Sequence, residues 1–432
     1  MNTNNIKTEI IAGITTFLSS MYIIVVNPSI LSACGMQFSA LVTATIIVSA
    51  ISSILMGLYS KNPILLAPGM GINAYFTYSI VIGMNVPWQE ALGTVFWSGI
   101  IFLLLSIFNI RTYIIKAIPR QLRLGVSVGI GLFITFIGFS KAGFIVAKKE
   151  TLIGLGDFNC STFVFVFGLI ITAILICKKY KGALIIGIIL STIAYYLTSA
   201  GIFPDSQNCP AISANIISGK LFSWPDFSLF MQFDFIGALK FSYIPVIFAF
   251  LFTALFDSLS TFVAVAETSN LKDENGEPKN IKQSMIVDAF ATILSGIFGT
   301  SSATSYIESA AGIREGGRTG ITAITAGFLF IPFLFLSPIL SYIPPVATAP
   351  ALVLVGVFMM KSVISIDWDS LDNAFPAFLA ITLIPMTYSI SQGIIWSFLC
   401  FTVLKFFSGK RKEISFTLLV IDIFAILSLI MS

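Results

Sequence analysis

The chain has 432 residues, of which 56% are hydrophobic and 10% charged, with a mean hydropathy of +0.96 and no histidine. Soluble domains carry roughly 25% charged residues, so this composition excludes an ordinary soluble enzyme and makes the lipid bilayer the chain's first partner. A net charge of +4 reports orientation in the bilayer, not a nucleic-acid partner, and without histidine the usual proton shuttle and the commonest metal ligand are both missing.

In chain order, apolar runs between charged or Pro/Gly-marked breaks predict fourteen spans, at 10–32, 39–60, 63–82, 91–110, 123–147, 160–177, 181–201, 241–266, 284–299, 300–315, 319–340, 345–362, 373–389 and 391–408. A further apolar segment, 414–430, follows Lys410, Arg411 and Lys412 and either spans or lies along the surface; the basic run reads as a cytoplasmic anchor. The first run lacks a small-residue cleavage site and is followed at once by more spans, so it reads as a span and not a signal sequence. With the N-terminus in the cytoplasm, the inner connections carry Lys61, Arg111, Lys116, Arg120, Arg123, Lys178, Lys179, Lys181, Lys272, Lys279, Lys282, Arg314, Arg318 and Lys361, in keeping with the positive-inside rule. Lys141 and Lys240 can snorkel to the outer surface. Cys160 and Cys209 both fall on the predicted outer side; a disulfide is chemically allowed there, but with no supporting spacing they are read as two unpaired thiols.

Two spans do not read as plain helices. The third, "NPILLAPGMGINAYFTYSIVIG" (62–83), is cut by Pro68, Gly69 and Gly71, and the tenth runs only from Thr300 to about Ile313. A helix of that length covers about 21 Å of a hydrocarbon core about 30 Å thick. A short strand followed by a half-helix would cover roughly 32 Å, and such exposed backbone survives only where it is buried in protein or lines a cavity. The third span and the tenth are each third in a set of seven, which predicts 7+7 inverted repeats with a central site at the two broken elements. Close packing of helices through small residues is the competing explanation of the Gly and Ser content.

Acids inside spans are costly and usually face a pathway or a partner. Asp257 lies near the middle of the eighth span, Asp288 in the ninth and Glu308 in "GTSSATSYIESAAG" of the tenth. Asp257 and Glu308 are read as functional, while Asp288, five residues into its predicted span, fits a structural partner equally well. Glu308 is expected to open the half-helix of the tenth span, where the helix dipole favours its carboxylate.

At these residues the chain resembles a known family. "APGMGINAYF" (67–76), "FDSLST" (256–261), "GTSSATSYIESAAGIREGGRTG" (299–320), "TFLSSMYIIVVNPSIL" (16–31) and "PALVLVGVFMM" (350–360) closely resemble the bacterial guanine/hypoxanthine permeases and the azaguanine-type purine transporters of the nucleobase/ascorbate superfamily. The resemblance implies an all-α fold of fourteen spans shared with uracil permease. It implies a core domain from 10–110 and 241–340 and a gate domain from 123–201 and 345–408. It also implies uptake of a purine nucleobase across the bacterial inner membrane with a proton, or sodium, as the coupled cation. Asp257 and Glu308 match the family's substrate-binding acids and Asn73 its functional Asn; Thr261, counted with the substrate-binding residues, stands where the uracil branch has a histidine. Coupling is expected at Glu308, Asp257 and Asp288. A homodimer is one assembly consistent with this reading, and no cofactor or metal is expected.

The chemistry agrees, because a purine offers N–H donors along its edge to carboxylates and flat apolar faces to aromatic rings. Tyr75, Phe76, Phe256 and Tyr306 are candidate walls, although in a chain that is 13% aromatic each also fits ordinary packing. Thr304, Ser305 and the backbone amides of Tyr306 and Ile307 are candidates for the remaining polar edge. An adenine-preferring permease of the same family is the first alternative. An anion transporter of the same fold should carry basic or neutral central groups instead of two acids. "GLGD" (154–157) fits an intramembrane-protease pattern but falls in a predicted outer loop, where it reads as a turn.

Overall fold

Apolar residues fill most of the chain, and a backbone that must satisfy its own N–H and C=O groups in lipid becomes helical; the computed structural model shows helices broken where Pro, Gly or hydroxylated residues cluster. It describes residues 3–108, 119–148, 151–199, 222–269 and 279–415, with 418, 419, 422, 423 and 426 beyond. The helices are α1 (Thr3–Ser20), α2 (Ile23–Leu31), α3 (Phe38–Leu55), α4 (Met70–Ala74), α5 (Trp88–Ile107), α6 (Arg120–Lys141), α7 (Cys160–Cys177), α8 (Ala183–Ser199), α9 (Ile244–Ser269), α10 (Ile281–Phe298), α11 (Ser309–Arg314), α12 (Gly320–Phe330), α13 (Ser337–Ser341), α14 (Pro345–Met360), α15 (Leu371–Thr387) and α16 (Ile390–Phe407). Four short strands, β1 (Leu66–Pro68), β2 (Ile145–Lys148), β3 (Leu152–Leu155) and β4 (Ala303–Ser305), form two two-stranded sheets, β1 with β4 and β2 with β3. Among the described residues, nine helical stretches are long and apolar enough to cross a membrane and three further apolar helices are shorter, so the chain is a multi-pass membrane protein.

The broken elements follow the expected pattern. β1 leads into α4, which continues as a wider helical turn over Tyr75–Gly83, and β4 precedes the short α11. Several boundaries differ from expectation. The first span is interrupted at Met21 and Tyr22, and the eleventh is split into α12, a tight turn at Ile331–Phe335 and α13, where Pro332 and Pro338 each lack a helical N–H. α10 starts at Ile281 and not at 284, because Lys282 can keep its ammonium in water while its backbone is helical; Asp288 is therefore about two turns into its helix. Gly154 lies in the β2–β3 hairpin, opposite Val146, and not in a simple turn. Cys160 is disulfide-bonded and is not an unpaired thiol. Cys209, Arg111, Lys116, Lys272 and most of 414–430 lie outside the described residues.

Contacts divide the chain into two compact units, and the chain passes between them within β1 and directly after β4. The first comprises Met1–Ala67, Ile134–Leu229 and Tyr306–Val355. In it α1 packs on α11 and α12, and α3 on α2 and α12. A Cβ on Gly57 would lie 2.3 Å from the Gly320 carbonyl oxygen, and one on Gly320 would lie 1.9 Å from the Gly57 oxygen, so only glycine at both places lets these backbones touch. Glu9, buried on α1, accepts from the Arg318 and Thr319 amides at 2.9 and 3.1 Å and from the Thr322 hydroxyl at 2.5 Å. That carboxylate meets the unsatisfied N–H groups at the start of α12. Cys160, Val164, Phe165, Tyr195, Val346, Ala349 and Val353 form an apolar core here.

The second unit comprises Pro68–Phe133, Phe230–Ser305 and Gly356–Ser432. α5 packs on α9 and α10, α15 on α16, and Val128, Ile366, Ala377 and Ile381 form a core cluster. At the end of α16, Lys405 is 1% exposed and its ammonium lies 2.7 Å from both Asp372 and Glu413. Because lipid is as apolar as these side chains, cohesion inside each unit comes from close packing and such polar ties and not from removal of apolar surface from water.

Candidate functional site

The second unit gathers most of the polar candidates around β4. "GTSSATS" has no side chain long enough to pack a helix face, and its hydroxyls compete for backbone groups, so the segment stays extended. Successive hydroxyls then reach different helices. Ser301 donates to the Asn73 side-chain oxygen on α4, and Ser302 lies 2.9 Å from the Thr292 hydroxyl on α10. Thr304 donates to Asp257 on α9 at 3.0 Å, and Ser305 to Asp288 on α10 at 3.4 Å. Thr261, one turn after Asp257, donates to the Ser305 carbonyl at 3.0 Å. Asp257 sits near the middle of the 26-residue α9, so its charge cannot reach either end of the helix. Asp288 is wholly buried, and among the described residues its Oδ2 has no hydrogen-bond partner.

β1 and α4 supply the facing backbone. Pro68 has no amide to donate; the next residue, Gly69, donates to the Ser302 carbonyl at 3.0 Å, and its own carbonyl accepts from Asn73 at 2.8 Å to start α4. A Cβ on Gly69 would stand 2.9 Å from the Thr304 hydroxyl oxygen, so glycine is what lets the strand approach the residue that holds Asp257. Asn73 is fully buried, and among the described residues its amide nitrogen has no hydrogen-bond partner. Tyr75 and Phe76 are also fully buried, with ring centroids 5.1 and 6.5 Å from that of Phe250. The side chain of Phe256 lies outside the described residues.

The first unit holds the remaining candidates. The Tyr306 amide donates to the Leu65 carbonyl at 2.9 Å, and the Leu65 amide donates to the Ser309 hydroxyl at 3.0 Å. Tyr306 is buried, Ile307 is 53% exposed, and Glu308 is the residue immediately before α11. The half-helix therefore begins just after Glu308, as expected, although it is only six residues long. The Glu308 carboxylate accepts from the Tyr22 hydroxyl at 2.6 Å. The motif containing Tyr22 was legible; its partnership with an acid 286 positions away was not. Within each unit, the carboxylates and hydroxyls can accept N–H donors. Among the described residues no His, Cys, Asp and Glu cluster could hold a metal.

The model of the permease family Xan_ur_permease matches residues 7–396. A permease of Methanocaldococcus jannaschii is 42% identical over 97% of this chain and 94% of its own length. The guanine/hypoxanthine permease PbuG of Bacillus subtilis is 38% identical over 94% of this chain and 92% of its own, and the adenine permease AdeP of Escherichia coli 36% over 98% and 93%. Among solved structures, the transmembrane domain of the cyanobacterial bicarbonate transporter BicA aligns with a TM-score of 0.64 at 14% identity, covering 92% of this chain and 98% of that one. At such low identity the likeness is one of fold alone.

Proposed function

Since the chain belongs to the Xan_ur_permease family, a family of transporters and not of enzymes, we propose that it imports purine nucleobases, guanine or hypoxanthine first, by symport with a proton across the bacterial cytoplasmic membrane. The N-terminus lies in the cytoplasm, and the chain makes fourteen spans in two inverted repeats. The core domain (10–110 and 241–340) moves against the gate domain (123–201 and 345–408) to expose the site alternately to either side. Asp257 and Glu308 accept N–H donors of the purine, while Asn73, Thr304, Ser305 and the backbone at Tyr306 and Ile307 meet its other polar atoms. Phe76, Phe256 and Tyr306 border the ring, and Thr261 braces β4.

The observation that carries this reading is the Thr304 to Asp257 hydrogen bond, which fixes an intramembrane carboxylate against a strand at the break of a span. A neutral purine with N–H groups on opposite edges suits two acids, and hypoxanthine and guanine carry such donors at the six-membered and five-membered rings. Adenine has no N–H at the corresponding six-membered-ring nitrogen and offers its amino group instead. Proton uptake by Asp257, Glu308 or Asp288 neutralises one charge as the loaded site crosses, which couples purine movement to the proton gradient.

Uptake of labelled hypoxanthine into vesicles, with unlabelled guanine, adenine, xanthine and uracil as competitors and labelled bicarbonate and sulfate run in parallel, tests the proposal. Guanine and hypoxanthine should compete best and neither anion should enter. Strongest competition by adenine would make this an adenine permease, and entry of either anion would end the purine reading.

A further inference from the structure

We infer that Tyr22 is a positioning residue for the substrate-binding acid Glu308 and thereby sets the preference for guanine over hypoxanthine, an inference that rests on the proposed contact between Glu308 and the purine. Tyr22 stands at the interruption between α1 and α2, where its own carbonyl accepts from Val25 and Val26 at 3.2 and 3.0 Å and so starts α2. The side chain is 1% exposed. Its ring is therefore held by packing, and its hydroxyl reaches Glu308 Oε1 at 2.6 Å, a length typical of a hydroxyl donating to a carboxylate.

A glutamate side chain ends in a torsion with broad, two-fold preference, so an unanchored carboxylate turns easily about its last bond. Glu308 immediately precedes a helix of only six residues. Anchoring Oε1 to a buried hydroxyl fixes the carboxylate plane before substrate arrives. The consequence differs between the two purines. Guanine presents a ring N–H and an adjacent amino N–H, and accepting both needs the two carboxylate oxygens in the plane of the purine edge. Hypoxanthine presents only the ring N–H there, which one oxygen accepts over a wide range of carboxylate rotation. Tyr22 thus strengthens the second bond, the one only guanine makes.

Tyr22→Phe removes the hydroxyl and keeps the ring. A hydrogen bond to a charged group that loses its alignment costs roughly a tenfold loss of affinity. In binding titrations on purified protein, Tyr22→Phe should weaken guanine by about tenfold and hypoxanthine by no more than about threefold. A role confined to folding would lower the amount of active protein and leave the ratio of the two affinities unchanged, because a ratio does not depend on how many molecules are folded. Should Tyr22→Phe yield no folded protein, Tyr22→Met removes the hydroxyl with a more adaptable apolar side chain and leaves Glu308 intact, and the same fall in the ratio is expected. An unchanged guanine to hypoxanthine ratio in whichever variant is measured overturns the positioning role. If Glu308→Gln instead leaves both affinities intact, the contact between Glu308 and the purine is what fails.

Discussion

Replacing Gly69 with alanine should disable Asp257 without touching it. The added Cβ would lie 2.9 Å from the Thr304 hydroxyl oxygen, 3.4 Å from Ile72 Cδ1 and 3.5 Å from Thr304 Cγ2. Thr304 cannot yield cheaply, since it is 1% exposed and donates to Asp257 at 3.0 Å. Rotating it away from the new methyl breaks that bond, and a hydrogen bond to a charged group is worth about 1.5 to 3 kcal/mol. Purine affinity should therefore fall by roughly ten- to a hundredfold while Gly69→Ala still reaches the membrane. Thr304→Val should lose a similar amount by deleting the hydroxyl directly, and Thr304→Ser, which keeps the donor, should stay within about threefold of the wild type. The combination of Gly69→Ala with Thr304→Val should be no worse than either alone, because both act on one bond. Binding titrations of hypoxanthine on the purified proteins measure all four. Wild-type affinity in Gly69→Ala, or full additivity in the double variant, would mean that strand packing at Gly69 does not act on purine binding through Thr304 and Asp257.

Other expectations follow from the same structure. Lys405→Met leaves Asp372 facing Lys410 at 2.9 Å but strands part of a buried network, so it should cost about 3 kcal/mol in denaturant unfolding of the purified protein, whereas an unchanged midpoint would show the network to be energetically neutral. Cysteines replacing Met70 and Ala303, in a background without the native five, should crosslink through a short reagent, because Gly69 and Ser302 are joined by a backbone bond of 3.0 Å; failure with both sites accessible would contradict that pairing. Purine accumulation should collapse with a protonophore and survive replacement of sodium by potassium, and the opposite pattern would identify sodium as the coupled ion.

The parts of this fold that were legible in the sequence are those where one residue type forces a local outcome. Pro68 followed by Gly69 cannot continue a helix, and the Ser and Thr run at 300–305 offers hydroxyls in place of packing, so both strands could be placed to within a few residues. Asp257 stood out because nothing near it in the chain could pair with it. Other features depend on distant partners. Tyr22 looks like any aromatic in an apolar span until Glu308 is brought to it, and Lys405 looks like a terminal snorkelling lysine until Asp372 and Glu413 surround it. Apolar periodicity also reads smoothly through the interruption at Met21 and Tyr22, because apolar composition does not reveal a local loss of helical bonding. The β2–β3 hairpin escaped for the opposite reason, since its four-residue strands are too short for an alternation to register.

Two intramembrane carboxylates, Asp257 and Glu308, are proposed to bind the purine nucleobase. Calorimetric titration of hypoxanthine and guanine into purified wild type, Asp257→Asn and Glu308→Gln separates charge from shape at each position, since each amide keeps the shape of the acid and removes its charge. The wild type should bind both purines, and each variant, at near-normal abundance, should lose roughly ten- to a hundredfold in affinity, with Glu308→Gln penalising guanine more than hypoxanthine. Undiminished binding of both purines by both variants would remove both acids from the site.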